Sequence, residues 1–169
     1  QVQKIKKYMV VTINTDASFY WEKQVGTYAM WIVSNEGTFK HHSAFKNKIS
    51  DPTEAEYLCI LNALTIVKRL KWKVTKLVIN TDSLNCVHII TKDRQSCMKY
   101  KVYKKIKNKQ SLIHQLFYDI GGKDLIIHAK HLRSHQHTKT SRNYVNQWCD
   151  DMARYEMDKL YPQKNKINK

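Results

Sequence analysis

One tetrapeptide occurs twice in this chain and constrains it more than any other feature. Ile13-Asn14-Thr15-Asp16 and Ile79-Asn80-Thr81-Asp82 each close a short run rich in β-branched residues. Residues 9–16 alternate β-branched and polar side chains, the period of a strand, and residues 76–81 read as a short apolar strand. In open α/β sheets, functional groups gather at the carboxyl ends of strands. If these two strands are parallel neighbours, Asp16 and Asp82 emerge side by side. Two bare carboxylates that close repel unless a proton or a cation joins them. Each aspartate alone has an ordinary alternative, Asp82 as the N-cap of a following helix and Asp16 in an Asx turn.

The rest of the chain supplies the setting for such a sheet. Residues 25–34 and 38–46 read as two further strands around the turn Ser34-Asn35-Glu36-Gly37, so three antiparallel strands open the chain. Asp51-Pro52-Thr53-Glu54 then announces a helix, with Asp51 as N-cap, Pro52 in the first turn and Glu54 at the capping-box position. That helix runs to about Lys71, with Leu58, Leu61, Leu64, Val67 and Leu70 at helical spacing. Helices are expected over 84–91, over 106–120 with a stop at Gly121-Gly122, and over 143–160 with Val145, Trp148, Met152 and Tyr155 on one stripe. A last strand covers 125–131. The order β-β-β-α-β-α-α-β-α implies an α/β fold with a mixed five-stranded sheet, antiparallel first and parallel later, flanked by helices. One domain over 1–161 is expected, with a flexible tail from Pro162.

Two more acids join the aspartates by helical spacing. Glu56 shares its face with Ile60, Ala63, Leu64 and Val67, which must pack on the sheet, and a carboxylate on a packing face needs a partner. In the final helix, Asp150 lies on one line with Asn146, Ala153 and Met157, while Asp151 lies with Gln147, Arg154 and Asp158 on what reads as a solvent face. Spacing leaves the choice between the two open. Three Asp and one Glu make a hard oxygen site that suits Mg²⁺ or Mn²⁺; Zn²⁺ would want His or Cys. Two such ions can activate a water and stabilise the leaving oxygen of a phosphodiester. No Gly-rich phosphate loop is present.

Charge points to the partner. The chain carries +16 with histidines neutral, and residues 61–118 hold 13 basic against 2 acidic side chains. The densest stretch is Lys99, Lys101, Lys104, Lys105, Lys107 and Lys109, with Tyr100 and Tyr103 between them. Such a field attracts polyanions, and a phosphate backbone would relieve its self-repulsion. Apolar residues at 42 % exclude wholesale disorder. No apolar run approaches a membrane span, and no apolar segment follows Lys4, Lys6 and Lys7 as a secretory signal would require. Cys59, Cys86, Cys97 and Cys149 form no C-x-x-C pair and read as free thiols of a reducing, cytoplasmic setting. His128, His131, His135 and His137 crowd one segment without a cysteine among them, and His41 and His42 read as ordinary strand residues. Trp31, Trp72 and Trp148 are core or strand-face candidates; Trp21, in the first hairpin, could instead touch nucleic acid.

Taken in order, these residues resemble the ribonuclease H family. Thr15-Asp16-Ala17-Ser18 resembles its first Asp motif, and Thr53-Glu54-Ala55-Glu56-Tyr57 with Ile60, Ala63 and Leu64 its helix motif. Asn80-Thr81-Asp82-Ser83 resembles the second Asp motif, and His131-Leu132-Arg133-Ser134-His135 the segment before the last helix. Asn146-Gln147-Trp148-Cys149-Asp150 resembles the motif of that helix. The resemblance spans about residues 8–158. It implies the family's fold and a two-metal endonuclease that cuts the RNA strand of RNA–DNA hybrids and leaves 5′-phosphate ends. It implies Asp16, Glu56, Asp82 and Asp150 as ligands of two Mg²⁺ ions, Mn²⁺ substituting, and His135 as a mobile proton carrier. It chooses Asp150 over Asp151. The basic stretch resembles the handle with which cellular members grip the hybrid, and Arg133, Lys139 and Arg142 would join it. A monomer acting on nucleic acid, away from membranes, is expected. The rival readings are a Holliday-junction resolvase on the same fold, which would work as a dimer, and a non-catalytic binding module.

Overall fold

The computed structural model describes residues 8–91, 101–132 and 141–162; within 101–109 and 141–142 it describes the helix but not the side chains. Five strands form one mixed sheet: β1 (Val10–Tyr20), β2 (Val25–Ser34), β3 (Gly37–Ala44), β4 (Lys76–Thr81) and β5 (Ile126–His131). Their spatial order is β3-β2-β1-β4-β5. The first three pair antiparallel; β1–β4 and β4–β5 pair parallel. The helices described are α1 (Pro52–Arg69), α2 (Leu84–Thr91), α3 (Lys101–Gly121) and α4 (Ser141–Leu160). The expected element order holds, and three elements, β1, α3 and α4, run longer than their local signals. β1 continues four residues past Asp16, because β2 pairs with it as far as Tyr20↔Val25 after β4 has ended.

The two faces of the sheet carry different cores. On one, Val11 and Ile13 of β1, Met30 and Ile32 of β2, and Leu77 and Ile79 of β4 meet Ile60, Ala63, Leu64 and Val67 of α1, with Ile89 of α2 and Ile113 of α3 behind. On the other, α4 lies across β1, β2 and β3. Its buried line is Cys149, Ala153 and Met157, small at the two positions nearest the sheet, so the helix sits close enough for Thr27 to donate to the Ala153 carbonyl at 2.6 Å. This corrects the expected stripe: Val145, Trp148 and Met152 are half-buried, and Tyr155 is exposed. Trp21 is also exposed, as are Tyr144 and Leu70.

Local chemistry fixes where α1 starts. The Asp51 carboxylate accepts from the Glu54 N–H at 2.9 Å, with Pro52 in the first turn. The Glu54 carboxylate takes the Ser50 hydroxyl at 2.9 Å. Asp51→Ala should therefore lower stability by about 1 kcal/mol, and Asp51→Asn should keep most of it; urea unfolding of the two variants checks this. At the far end of α3, Gly122 takes a positive φ of 73° and donates to the Tyr118 carbonyl at 2.7 Å, which ends the helix as the paired glycines suggested. His42 is not an ordinary strand residue. Its Nδ1 lies 2.6 Å from the buried Glu156 of α4, tying the sheet's edge strand to the helix. Among the described residues, no helix is long and apolar enough to cross a membrane.

Candidate metal centre

Three carboxylates converge at one end of the sheet. Asp16 projects from β1 just beyond that strand's pairing with β4, Asp82 follows the last residue of β4, and Glu56 points up from the first turns of α1. One ligand oxygen from each lies within 4.8 Å of the others. The sheet delivers the first two because Ile13↔Ile79 and Asn14↔Asn80 hold the strands in parallel register. Glu56 is buried on the face of α1 that carries Ile60, Ala63 and Leu64, as its spacing required.

The backbone joins two of the three. The Ala17 N–H lies 2.9 Å from both Asp16 Oδ1 and Glu56 Oε1, so one donor holds carboxylates that would otherwise repel. Asp82 is spared a structural duty: Ser83, not Asp82, caps α2, accepting the Cys86 N–H on its hydroxyl and the Val87 N–H on its carbonyl. The imidazole of His131, at the end of β5, lies 3.0 Å from the Asp82 carbonyl oxygen.

The electrostatics are those of crowded, buried carboxylates. Burial, followed by the charges of Asp82 and Asp150, pushes Asp16 up to about 7. Burial, then Asp16 and Asp82, holds Glu56 well above the usual carboxylate range. Burial raises Asp82 as well. The Glu56 Oε2 atom is buried without a hydrogen-bond partner among the described residues. A buried carboxylate oxygen left unmatched, facing two further acids, fits a divalent cation. The donors are hard oxygens, so Mg²⁺ or Mn²⁺ suits them better than Zn²⁺.

The other predicted residues divide into three groups. Asp150, on α4, stands near enough for its charge to raise Asp16 and Asp82. Its carboxylate, however, is 2.9 Å from Arg154 Nη2, one turn along the helix, and it does not join the cluster of three. Asp151, on the exposed side of α4, accepts from Gln147 Nε2 at 2.9 Å. Lys101, Lys104, Lys105, Lys107 and Lys109 fall on α3, and Arg142 on the first turn of α4. His135, Lys99, Arg133 and Lys139 lie outside the described residues. Sequence reasoning missed the Ala17 N–H and the Arg154 pairing, which depend on backbone and rotamer geometry. It also missed an amide bridge between Asn14 and Asn80 beneath the aspartates, which depends on the cross-strand register.

Known proteins share this fold. The RNase H family model matches residues 8–158. LC11-RNase H1, solved in complex with an RNA/DNA hybrid, superposes with a TM-score of 0.66 at 16 % identity, over 89 % of this chain and 98 % of that one. RNase H1 from the halophilic archaeon Halobacterium salinarum gives 0.63 at 12 % identity, over 89 % and 98 %. The N-terminal RNase H domain of a Mycobacterium tuberculosis protein gives 0.63 at 14 % identity, over 92 % and 99 %. No curated protein matches the chain in sequence.

Proposed function

The chain belongs to the ribonuclease H family, and from that premise we propose that it is a divalent-metal-dependent endonuclease that hydrolyses the RNA strand of RNA–DNA hybrids. The observation that carries the reading is the convergence of Asp16, Glu56 and Asp82 from three separate elements onto one point. A structural cluster has no physical reason to gather repelling charges and bury one of them. A similar fold that holds an RNA/DNA hybrid supports the choice of substrate.

Asp16, Glu56, Asp82 and Asp150 would hold two Mg²⁺ ions, with Mn²⁺ able to replace them. Bound there, the ions supply an activated water and charge stabilisation of the leaving oxygen. The chain's own residues then have separate tasks. The Ala17 N–H keeps the Asp16 and Glu56 carboxylates turned toward each other. To serve as a ligand, Asp150 would leave the Arg154 guanidinium that it pairs with at 2.9 Å. His135 carries protons to or from the reaction. Lys99, Lys101, Lys104, Lys105, Lys107 and Lys109, with Arg133, Lys139 and Arg142, grip phosphates. Recognition of the hybrid rests on A-like shape and 2′-hydroxyls rather than base edges.

The test is a panel of end-labelled substrates with Mg²⁺: RNA–DNA hybrid, duplex DNA, duplex RNA and a four-way DNA junction. Cleavage should fall on the RNA strand of the hybrid, leave 5′-phosphate ends and weaken steeply with added salt. Preference for the junction would overturn the reading in favour of a resolvase.

A further inference from the structure

Two buried amides link the strands directly beneath the aspartates. Asn80 Nδ2 donates to Asn14 Oδ1 at 2.9 Å, and Asn14 Nδ2 donates to the Trp31 carbonyl at 3.1 Å. The chain of bonds crosses β4, β1 and β2. Asn14 and Asn80 are 5 % and 3 % exposed, so it is shielded from water. The two residues are Cα partners in the parallel ladder, and theirs is its last rung. Beyond it β1 continues only with β2 and β4 only with β5. Asn14 precedes Asp16 by two positions within β1, so the two side chains leave the strand on the same side, about 7 Å apart, and Asn80 stands two positions before Asp82, which follows the end of β4.

The bridge is not needed to hold the strands. The preceding rung, Ile13↔Ile79, is entirely apolar and fully buried. The amides even leave Asn80 Oδ1 buried without a partner among the described residues, an arrangement that an apolar pair would avoid. What the bridge adds is a directional, fixed-length tie at the point where the strands part, and metal ligands must be held to about 0.5 Å.

We propose that Asn14 and Asn80 are positioning residues: their side-chain bridge sets the separation of Asp16 and Asp82 for the cations. This rests on the metal-site reading above. The test compares wild type with the near-isosteric double variant Asn14→Leu/Asn80→Leu and the single variant Asn80→Ala. Mn²⁺ affinity is measured by calorimetry, Tm by circular dichroism, and kcat and KM on the hybrid with Mg²⁺. The double variant should melt at or above the wild-type temperature. Both variants should bind Mn²⁺ about 10-fold more weakly and lose about 10- to 100-fold in kcat, with KM within about two-fold. Mn²⁺ affinity and kcat unchanged in a folded variant, whatever its Tm, would overturn the proposal. If the double variant fails to fold, Asn80→Ala decides by the same readouts. Weakened Mn²⁺ binding alongside a wild type that cleaves no hybrid would uphold the positioning role and refute the substrate reading alone.

Discussion

Asp16→Asn should abolish hydrolysis of the hybrid while leaving its binding intact or tighter. The loss should be on the order of 10³-fold or more in kcat, or about 4 kcal/mol of transition-state stabilisation. The substitution suits the purpose because it removes charge and little else. An asparagine carbonyl can still accept from the Ala17 N–H, which now lies 2.9 Å from Asp16 Oδ1, and its amide can donate to Glu56. The fold should therefore survive. Binding should not suffer, since the variant adds one unit to a chain that already carries +16 and attracts the phosphate backbone through it. Single-turnover cleavage and fluorescence anisotropy with labelled hybrid measure the two properties separately. Turnover equal to wild type would remove the carboxylate cluster from the chemistry.

Where a feature depends on neighbours in sequence, the residues alone predict it well. The cap at Asp51, the turn before Gly37 and the stop after Gly121 are each written in a few adjacent side chains, and each appears where expected. Features set by distant partners were harder to read. β1 outruns its own pattern because β2 extends it. α3 is already helical at Lys101, ahead of its apolar periodicity, and lysine is a good helix former in its own right. The buried line of α4 goes through Cys149 and Ala153 because close approach to β1 and β2 favours small side chains over Trp148 and Tyr155.

The candidate site divides along the same boundary. Asp16, Glu56 and Asp82 were legible because strand ends and helix faces give a carboxylate's direction from sequence alone. Asp150 was not separable from Asp151 by spacing, and the family motif made the choice. That Asp150 rests on Arg154 is a matter of rotamer, outside what residue spacing encodes. His42 and Glu156 are 114 positions apart, and only the packing of α4 on β3 joins them. The amides of Asn14 and Asn80 stood in plain view in the repeat, but an asparagine in a strand has no meaning until its cross-strand partner is known.

Glu56→Gln should stabilise the metal-free protein at alkaline pH and cancel its stabilisation by Mg²⁺. Asp16 is raised to about 7 and Glu56 well above the usual range, chiefly by burial. Unfolded, both titrate near 4. The folded state therefore holds protons that the unfolded state releases, so the contribution is full below pH 4 and disappears as pH rises through 7. Metal-free wild type should be weaker at pH 8 than at pH 5.5. Solvent screening at the partly open mouth holds the effect to about 1–2 kcal/mol, or about 3–6 °C in Tm for a chain of this size. Glutamine mimics the protonated acid: its oxygen can accept from Ala17 and its NH₂ can donate to Asp16. Its Tm should therefore change less across that interval. Histidine titration and the overall positive charge are common to both proteins and cancel in the comparison. Added Mg²⁺ binds only the folded wild type and should restore its Tm at pH 8, with little effect on the variant. An unchanged pH slope and an unchanged response to Mg²⁺ in Glu56→Gln would mean that the buried acid is neither the proton store nor a ligand.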